Sequence, residues 1–171
     1  ETLDKKRQML ASEAHAPARI IIVDPRRTVS VNACEAVAGK ENVLHLAIAP
    51  GTDLVLLNAL LTEVVNKGWH AKDFIARHTA GFEDAVAANR ISVEDAAAVT
   101  GLAPADIRKA AQWIAEPKAG GTQRRTMHAY EKGLIWGNDN YRTNAAMVNL
   151  ALATWNVGRE GTGCVRLGGH Q

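Results

Sequence analysis

The feature that most constrains the fold is a strand–turn–helix order that occurs twice near the start of the chain. Residues 20–23 are all β-branched and end at an Asp-Pro pair, which is typical of a buried strand closed by a turn. A helix is expected over residues 28–38, a second strand over 43–48 and an apolar helix over 54–67. This order predicts an α/β fold with a parallel, Rossmann-like sheet core.

The rest of the chain is expected to be mainly helical, with strand character returning towards its end. The pattern predicts short helices over 72–116, strands over 126–130, 134–136 and 165–167, and a helix over 143–154. We divide the sequence into a lead-in (1–18), an α/β half (19–69), a helical insertion (70–121) and a final segment (122–171).

Composition excludes several protein classes. Hydrophobic residues make up 47% and charged residues 22% of the 171 residues, which excludes a collagen, a disulfide scaffold and a disordered tail. No apolar run approaches the length of a transmembrane helix. The two cysteines, Cys34 and Cys164, form no CxxC pair and are expected to be free thiols, with a disulfide as the alternative. Because the chain begins at Glu1, we expect a removed targeting segment or a piece of a longer protein.

Acidic residues stand where the two predicted strands end. Asp24 follows the first strand and Asp53 the second, and doubly wound sheets bind ligands outside these carboxyl ends. A carboxylate there accepts hydrogen bonds from a ribose or a guanine edge, and residues 50–53 lead to a helix N-terminus that favours phosphate. The alternatives are a turn residue for Asp24 and a helix-capping acid for Asp53. No GxGxxG or Walker motif supports ordinary dinucleotide or ATP binding.

The last third of the chain is basic and rich in glycine. Residues 122–171 hold 6 Lys and Arg against 3 Asp and Glu, which favours close approach of the backbone to an anionic ligand, with a solvated loop as the alternative. Residues 130–141 mix aromatic rings with amides, which suits a flat heterocycle or a polar turn with aromatic anchors. Arg166 and His170 stand four positions apart across a Gly-Gly pair, so both can point at one small oxyanion.

These segments together carry a family resemblance. Residues 22–26 (IVDPR), 50–53 (PGTD) and 78–82 (HTAGF) are similar to the central part of the molybdopterin oxidoreductases of the dimethyl sulfoxide reductase family. The stretch 156–163 (NVGREGTG) looks like that family's glycine-rich segment beside the pterin, although Trp155 stands where a His is usual. The motifs at 127–141 (MHAYEKGLIWGNDNY) and 165–171 (VRLGGHQ) more specifically resemble the large subunits of the arsenite oxidase branch. The resemblance covers nearly all of the chain from Arg19 onward.

The resemblance implies a molybdenum held by two molybdopterin guanine dinucleotides, with no side chain as a metal ligand. On the matching positions, Asp24 and Arg26 would contact a guanosine end. The same nucleotide would be lined by Pro50, Gly51, Thr52 and Asp53. The residues implied to lie against the cofactor are Asn138, Gly158, Arg159, Gly161, Gly163 and Gln171. Arg166 and His170 match two residues of the branch's arsenite funnel, where they would orient the substrate.

The resemblance also implies the activity of a longer parent protein. The chain would be an internal fragment of a catalytic subunit that oxidises arsenite to arsenate, and it would be inactive alone. Electrons would pass through an iron–sulfur cluster, whose ligands lie outside this chain, to a Rieske-type small subunit and then to a c-type cytochrome or copper protein. The implied location is the periplasm, with no nucleic-acid partner. Two alternatives stay open: a relative that acts on nitrate or a related oxyanion, and a non-catalytic structural subunit of a respiratory complex.

Overall fold

The structure, a computed structural model, describes residues 18–168 and is a mixture of short parallel strand pairs and helices. The strands are β1 (Ile20–Val23), β2 (Val43–Leu46), β3 (Met127–Tyr130) and β4 (Gly163–Arg166). The helices are α1 (Val29–Ala38), α2 (Asp53–Asn66), α3 (Lys72–His78), α4 (Phe82–Ala88), α5 (Val93–Thr100), α6 (Pro104–Ala115), α7 (Lys132–Ile135) and α8 (Asn140–Ala153). The chain divides into two compact units, Glu1–Pro50 and Gly51–Gln171.

Within residues 18–50, the first unit is a strand–helix–strand arrangement with one parallel pair. β1 and β2 run in parallel, with Ile20 opposite Val43 and Val23 opposite Leu46. Helix α1 makes the crossover that parallel neighbours require, and its apolar face packs on the strands. One core cluster of this unit is formed by Val31, Ala38 and Val43, with Ile20, Ile22 and Cys34 packed against them. The predicted parallel arrangement of the first two strands is therefore confirmed.

Helix α2 is the centre of the second unit. Its residues Leu56, Leu60 and Val64 are buried, and the helix packs against α5, α6 and α8. The facing sides of the other helices contribute Ala96, Ile107, Ala110, Ile114, Met147 and Leu150 to the core. The N-terminus of α5 is capped by Ser92, whose Oγ accepts a hydrogen bond from the Asp95 N–H at 3.0 Å. The expectation of short helices over residues 72–116 is confirmed.

The expected strand over residues 134–136 is wrong, because this stretch belongs to helix α7 and its C-cap. The Trp136 N–H donates to the Lys132 carbonyl at 2.9 Å, and the Lys132 ammonium lies 4.8 Å from the centre of the Trp136 ring. Residues four apart meet in this way on a helix and not on a strand. A three-residue apolar run is too short for periodicity to distinguish the two. Two other elements begin earlier than expected, α8 by three residues and β4 by two.

The second parallel pair joins β3 to β4. Met127 lies opposite Gly163 and Tyr130 opposite Arg166, and the Leu167 N–H donates to the Tyr130 carbonyl at 2.9 Å. The hydrogen bonding between the strands therefore continues one residue beyond β4. Among residues 18–168, no helix is long and apolar enough to cross a membrane.

A fully buried amide ties the segment after α8 to the start of β3. Asn156 is 0% exposed, and its Oδ1 accepts from the Thr126 N–H at 2.9 Å and from Arg159 Nη2 at 3.2 Å. Its Nδ2 donates to Thr154 Oγ1 at 2.8 Å, and its N–H donates to the Ala151 carbonyl at 2.7 Å. Asn156 therefore fixes where the chain leaves α8 and where β3 begins.

A second buried polar group lies on β3 itself. The Nε2 atom of His128 is buried and has no hydrogen-bond partner among the described residues. Burial lowers the pKa of His128 from its ordinary value of 6.5 to about 4, because the charged imidazolium is poorly solvated there. The imidazole is therefore neutral at pH 7 in the folded protein.

Substitution of Asn156 is expected to loosen the start of β3 in the intact protein. Asn156→Ala leaves the Thr126 N–H without its buried acceptor, which costs about 1–3 kcal/mol. Amide hydrogen exchange of the peptide containing Thr126 should become roughly five- to 150-fold faster, as measured by mass spectrometry. The exposed helical residue Asn32 offers the control, because Asn32→Ala should leave this exchange unchanged. Wild-type exchange at Thr126 in Asn156→Ala would show that the amide does not hold this segment.

The depressed pKa of His128 predicts a loss of stability on the acid side. As the pH falls from about 6.5 to about 4, the unfolded chain takes up a proton that the folded chain does not, so the free energy of unfolding falls. The C2-hydrogen exchange of His128 should titrate with a midpoint near 4, and His128→Gln should weaken the fall in melting temperature between pH 7 and 4.5. A midpoint close to the ordinary value would contradict the buried placement of the ring.

Candidate functional site

The carboxyl end of β1 holds Asp24 in a hydrogen-bonded turn. Asp24 Oδ1 accepts from the Arg26 N–H at 2.8 Å, and the Asp24 N–H donates to the Leu46 carbonyl at 3.2 Å. His45 Nε2 donates to the Asp24 carbonyl at 2.9 Å, which places the ring proton on Nε2. Asp24 is thus a turn residue whose Oδ1 is bonded to the backbone two positions on. Arg26 is exposed next to it.

The turn at residues 50–53 presents open backbone at the start of α2. Pro50 and Gly51 are exposed, and Gly51 has a φ of 81° with no atom within 4 Å of where a Cβ would stand. Thr52 occupies the N-cap, and Asp53 lies in the first helical turn. Burial raises the pKa of Asp53, and a hydrogen bond with its own backbone opposes that rise. Asp53 thus has the position of a helix-capping acid, while the backbone at Gly51 is free for a ligand to approach.

The carboxyl ends of β3 and β4 bring two opposite charges together. Arg166 lies opposite Tyr130, and Glu131 follows Tyr130 directly. The Arg166 Nη2 atom lies 3.5 Å from Glu131 Oε1, and the two side chains are 50% and 29% exposed. Sequence reasoning selected Arg166 but missed Glu131, because their contact spans 35 positions and arises only from the strand pairing. The sole signal was the position of Glu131 within the unusual segment 130–141.

The glycine-rich loop at residues 158–163 is open on its backbone side. Its three glycines have φ values of 66°, 72° and 131°, and none has an atom within 4 Å of a Cβ position. The Arg159 side chain donates hydrogen bonds to backbone carbonyls, and its expected place against a cofactor stays a prediction. Its Nε donates to the Trp155 carbonyl and its Nη2 to the Arg124 carbonyl, both at 2.7 Å. The guanidinium therefore braces the loop, and the glycine backbone is what a ligand can reach.

Trp155 has a structural place at the end of α8. It is the one non-glycine residue with positive φ in the described part of the chain, at 52°. Its ring stacks on Phe74 with centroids 5.7 Å apart, and the Arg159 guanidinium lies 4.6 Å from the ring centre. These contacts offset the strain of the left-handed backbone.

Most amides in and next to the segment 130–141 serve the protein itself. Asn140 Nδ2 donates to the Ile135 carbonyl at 2.7 Å, and Asn144 Nδ2 donates to the Leu134 carbonyl at 3.3 Å. These bonds satisfy carbonyls at the end of α7, as expected of a polar turn, whereas the rings of Trp136 and Tyr141 are 72% and 82% exposed and are not buried anchors. Asn138 is exposed between α7 and α8 and forms no hydrogen bond with another described residue.

The remaining expectations concern residues at the end of the chain and possible metal ligands. His170 and Gln171 lie outside the described residues, so their proximity to Arg166 stays a prediction. Within residues 18–168, no cluster of three or more His, Cys, Asp or Glu side chains could hold a metal ion. Cys34 and Cys164 are both free, and burial raises the pKa of the Cys164 thiol.

Curated relatives match nearly the whole chain. The arsenite oxidase subunit AioA of Herminiimonas arsenicoxydans is 56% identical over 170 residues, which is 99% of this chain and 20% of that protein. The iodate reductase subunit IdrA of Denitromonas iodatirespirans is 33% identical over 90% of this chain and 20% of its own length. The chain therefore spans about a fifth of the length of these relatives.

A solved structure and a family model give the fold and the family of the chain. The acetylene hydratase of Pelobacter acetylenicus superposes with a TM-score of 0.67 at 20% identity, covering 84% of this chain and 18% of that one, which shows a common fold. The molybdopterin oxidoreductase family matches residues 2–168. With that match across almost its full length, the chain belongs to the molybdopterin oxidoreductases.

Proposed function

We propose that this chain is part of the catalytic subunit of an arsenite oxidase, which converts arsenite to arsenate by a two-electron oxidation. The observation that carries the proposal is the 56% identity to an arsenite oxidase subunit across 99% of the chain. The chain alone would supply one part of the cofactor and substrate site, since it spans about a fifth of that relative.

Membership of the family implies a molybdopterin cofactor. We propose its specific form as molybdenum bound by two molybdopterin guanine dinucleotides, and the residues present fit such a group. The carboxylate of Asp24, at the carboxyl end of β1, is a suitable acceptor for a guanine N–H, and Gly51 exposes backbone to a phosphate. The open glycines of residues 158–163 allow a flat ring system to approach the main chain. When bound, the molybdenum centre supplies the two-electron oxygen-atom chemistry.

The side chains proposed to act on the substrate are Arg166 and His170. Arg166 is half exposed at the carboxyl end of β4, and its planar guanidinium donates hydrogen bonds to oxygen atoms of the substrate. A neutral His170 donates from one ring nitrogen and accepts at the other, which suits the hydroxyl groups of arsenous acid. Together they orient the substrate and stabilise negative charge as it develops towards arsenate.

The proposed electron path and location rest on the resemblance alone. Electrons leave through an iron–sulfur cluster to a Rieske-type small subunit and then to a c-type cytochrome or copper protein in the periplasm. The cluster ligands lie outside this chain, in agreement with the absence of a CxxC motif from its sequence.

A relative that acts on another oxyanion is the second candidate. The observation in its favour is the 33% identity to an iodate reductase subunit. This candidate ranks second because the identity to the arsenite oxidase subunit is 56%. The non-catalytic alternative differs in needing no substrate residues, so variants of Arg166 distinguish it from both enzymes.

Asp24 is expected to hold the guanosine end of the cofactor. In the full-length oxidoreductase, Asp24→Ala should lower molybdenum and guanine nucleotide content together, since two or more lost hydrogen bonds cost about 2–4 kcal/mol. Asp24→Asn keeps an acceptor for the turn at Arg26 and separates this effect from local misfolding. Exposed Asp84 provides the control, because Asp84→Ala should retain full cofactor. Normal cofactor content in both Asp24 variants would remove the residue from the site.

Arg166 and His170 are expected to act on the substrate and not on cofactor retention. Arg166→Lys and His170→Ala in the full-length enzyme should keep full molybdenum content and lose about 1–3 kcal/mol in kcat/KM for arsenite, roughly five- to 150-fold. The double variant should lose less than the sum, because both residues hold one substrate. Loss of cofactor in a single variant would place that residue in the pterin scaffold, and unchanged kinetics would exclude it from the site.

A further inference from the structure

We propose that Glu131 is a positioning residue for Arg166, and that the pair selects a neutral, hydroxylated substrate over an anion. The inference rests on the proposed function, because it takes Arg166 as a substrate-binding residue. Its starting point is the strand register, in which Tyr130 lies opposite Arg166 and the Leu167 N–H donates to the Tyr130 carbonyl. This register places the residue after β3 beside the end of β4, and it brings Glu131 Oε1 to 3.5 Å from Arg166 Nη2.

Gly168 makes room for the two side chains. A Cβ at this position would stand 2.6 Å from Glu131 Oε2 and 2.9 Å from Arg166 Nε, and both distances are too short for ordinary contacts. The carboxylate and the guanidinium therefore both close over the main chain at Gly168. A side chain here would displace the end of one of them.

The carboxylate has an unused acceptor that Arg166 can satisfy. Glu131 Oε2 is buried and has no hydrogen-bond partner among the described residues, a costly arrangement for a charged group. The Arg166 Nε and the Glu131 Oε2 both lie within 3 Å of one point beside Gly168. A rotation that brings Nε to Oε2 would extend the single 3.5 Å contact into a two-pronged pair through Nε and Nη2. Such a pair fixes the plane of the guanidinium and leaves its other N–H donors for a substrate.

The charge balance of the pair decides what it binds. An unpaired arginine attracts any small anion, whereas an arginine beside a carboxylate keeps its donors with little net charge. Arsenous acid is neutral at pH 7 and carries hydroxyl groups, whereas arsenate is an anion. Glu131 therefore lowers affinity for the anionic product and for oxyanion competitors, while Arg166 remains oriented for the neutral substrate.

The test compares Glu131→Gln with Glu131→Asp in the full-length, cofactor-loaded enzyme. Glu131→Gln removes the charge at nearly constant shape, so arsenate should bind about tenfold more tightly by calorimetry and inhibit at correspondingly lower concentration. Its kcat/KM for arsenite should fall at the same time, since Arg166 loses its fixed orientation. Glu131→Asp keeps the charge and should keep the weak arsenate binding. Exposed Glu83 on α4 is the control for net charge, and Glu83→Gln should match the wild type in both measurements.

The inference is supported if Glu131→Gln raises the affinity for arsenate and lowers kcat/KM for arsenite. Loss of a merely structural residue would instead weaken both arsenate binding and arsenite oxidation. Arsenate affinity in Glu131→Gln equal to that in Glu83→Gln overturns it, as does equal arsenate affinity in Glu131→Gln and Glu131→Asp. The proposed function is judged separately. It fails if the wild-type enzyme does not oxidise arsenite, whereas unchanged arsenite kinetics in Arg166→Lys would overturn the inference by excluding Arg166 from the site.

Discussion

The buried amide of Asn156 is the interaction on which the geometry of the second unit depends. It satisfies the first N–H before β3 and receives one of the donors of Arg159, which in turn bonds to the Trp155 and Arg124 carbonyls. Without these bonds, several backbone carbonyls next to a glycine-rich loop would lack partners in a poorly solvated place. One fully buried polar side chain thus sets the path of the chain from α8 to β4.

Much of the fold follows from local sequence signals, because those signals act over a few residues. The apolar helix α2 and the two strands of the first unit appear where the sequence predicts them. The failure at residues 134–136 has a different cause. Its decisive interactions are the Lys132–Trp136 contact and the amide of Asn140, and neither is visible in hydrophobic periodicity.

The candidate site was predictable only in part, for reasons that differ between residues. The position of Asp24 at a strand end was predictable, because it depends only on the β-branched run directly before it. The hydrogen bonding of Arg159 depends on carbonyls more than 30 positions away, which no local pattern reveals. Glu131 was missed for the same reason, since only the register of β3 and β4 makes it a neighbour of Arg166.

A two-stranded parallel ladder of four residues on each side provides little rigidity by itself. The precision of the Glu131–Arg166 pair must therefore come from what holds the two strands at their ends. At the start, the Asn156 amide fixes the Thr126 N–H directly before β3. At the other end, Gly168 brings both charged groups against the main chain. The weak ladder sets which residues are neighbours, and the buried amide and the glycine set how closely they approach.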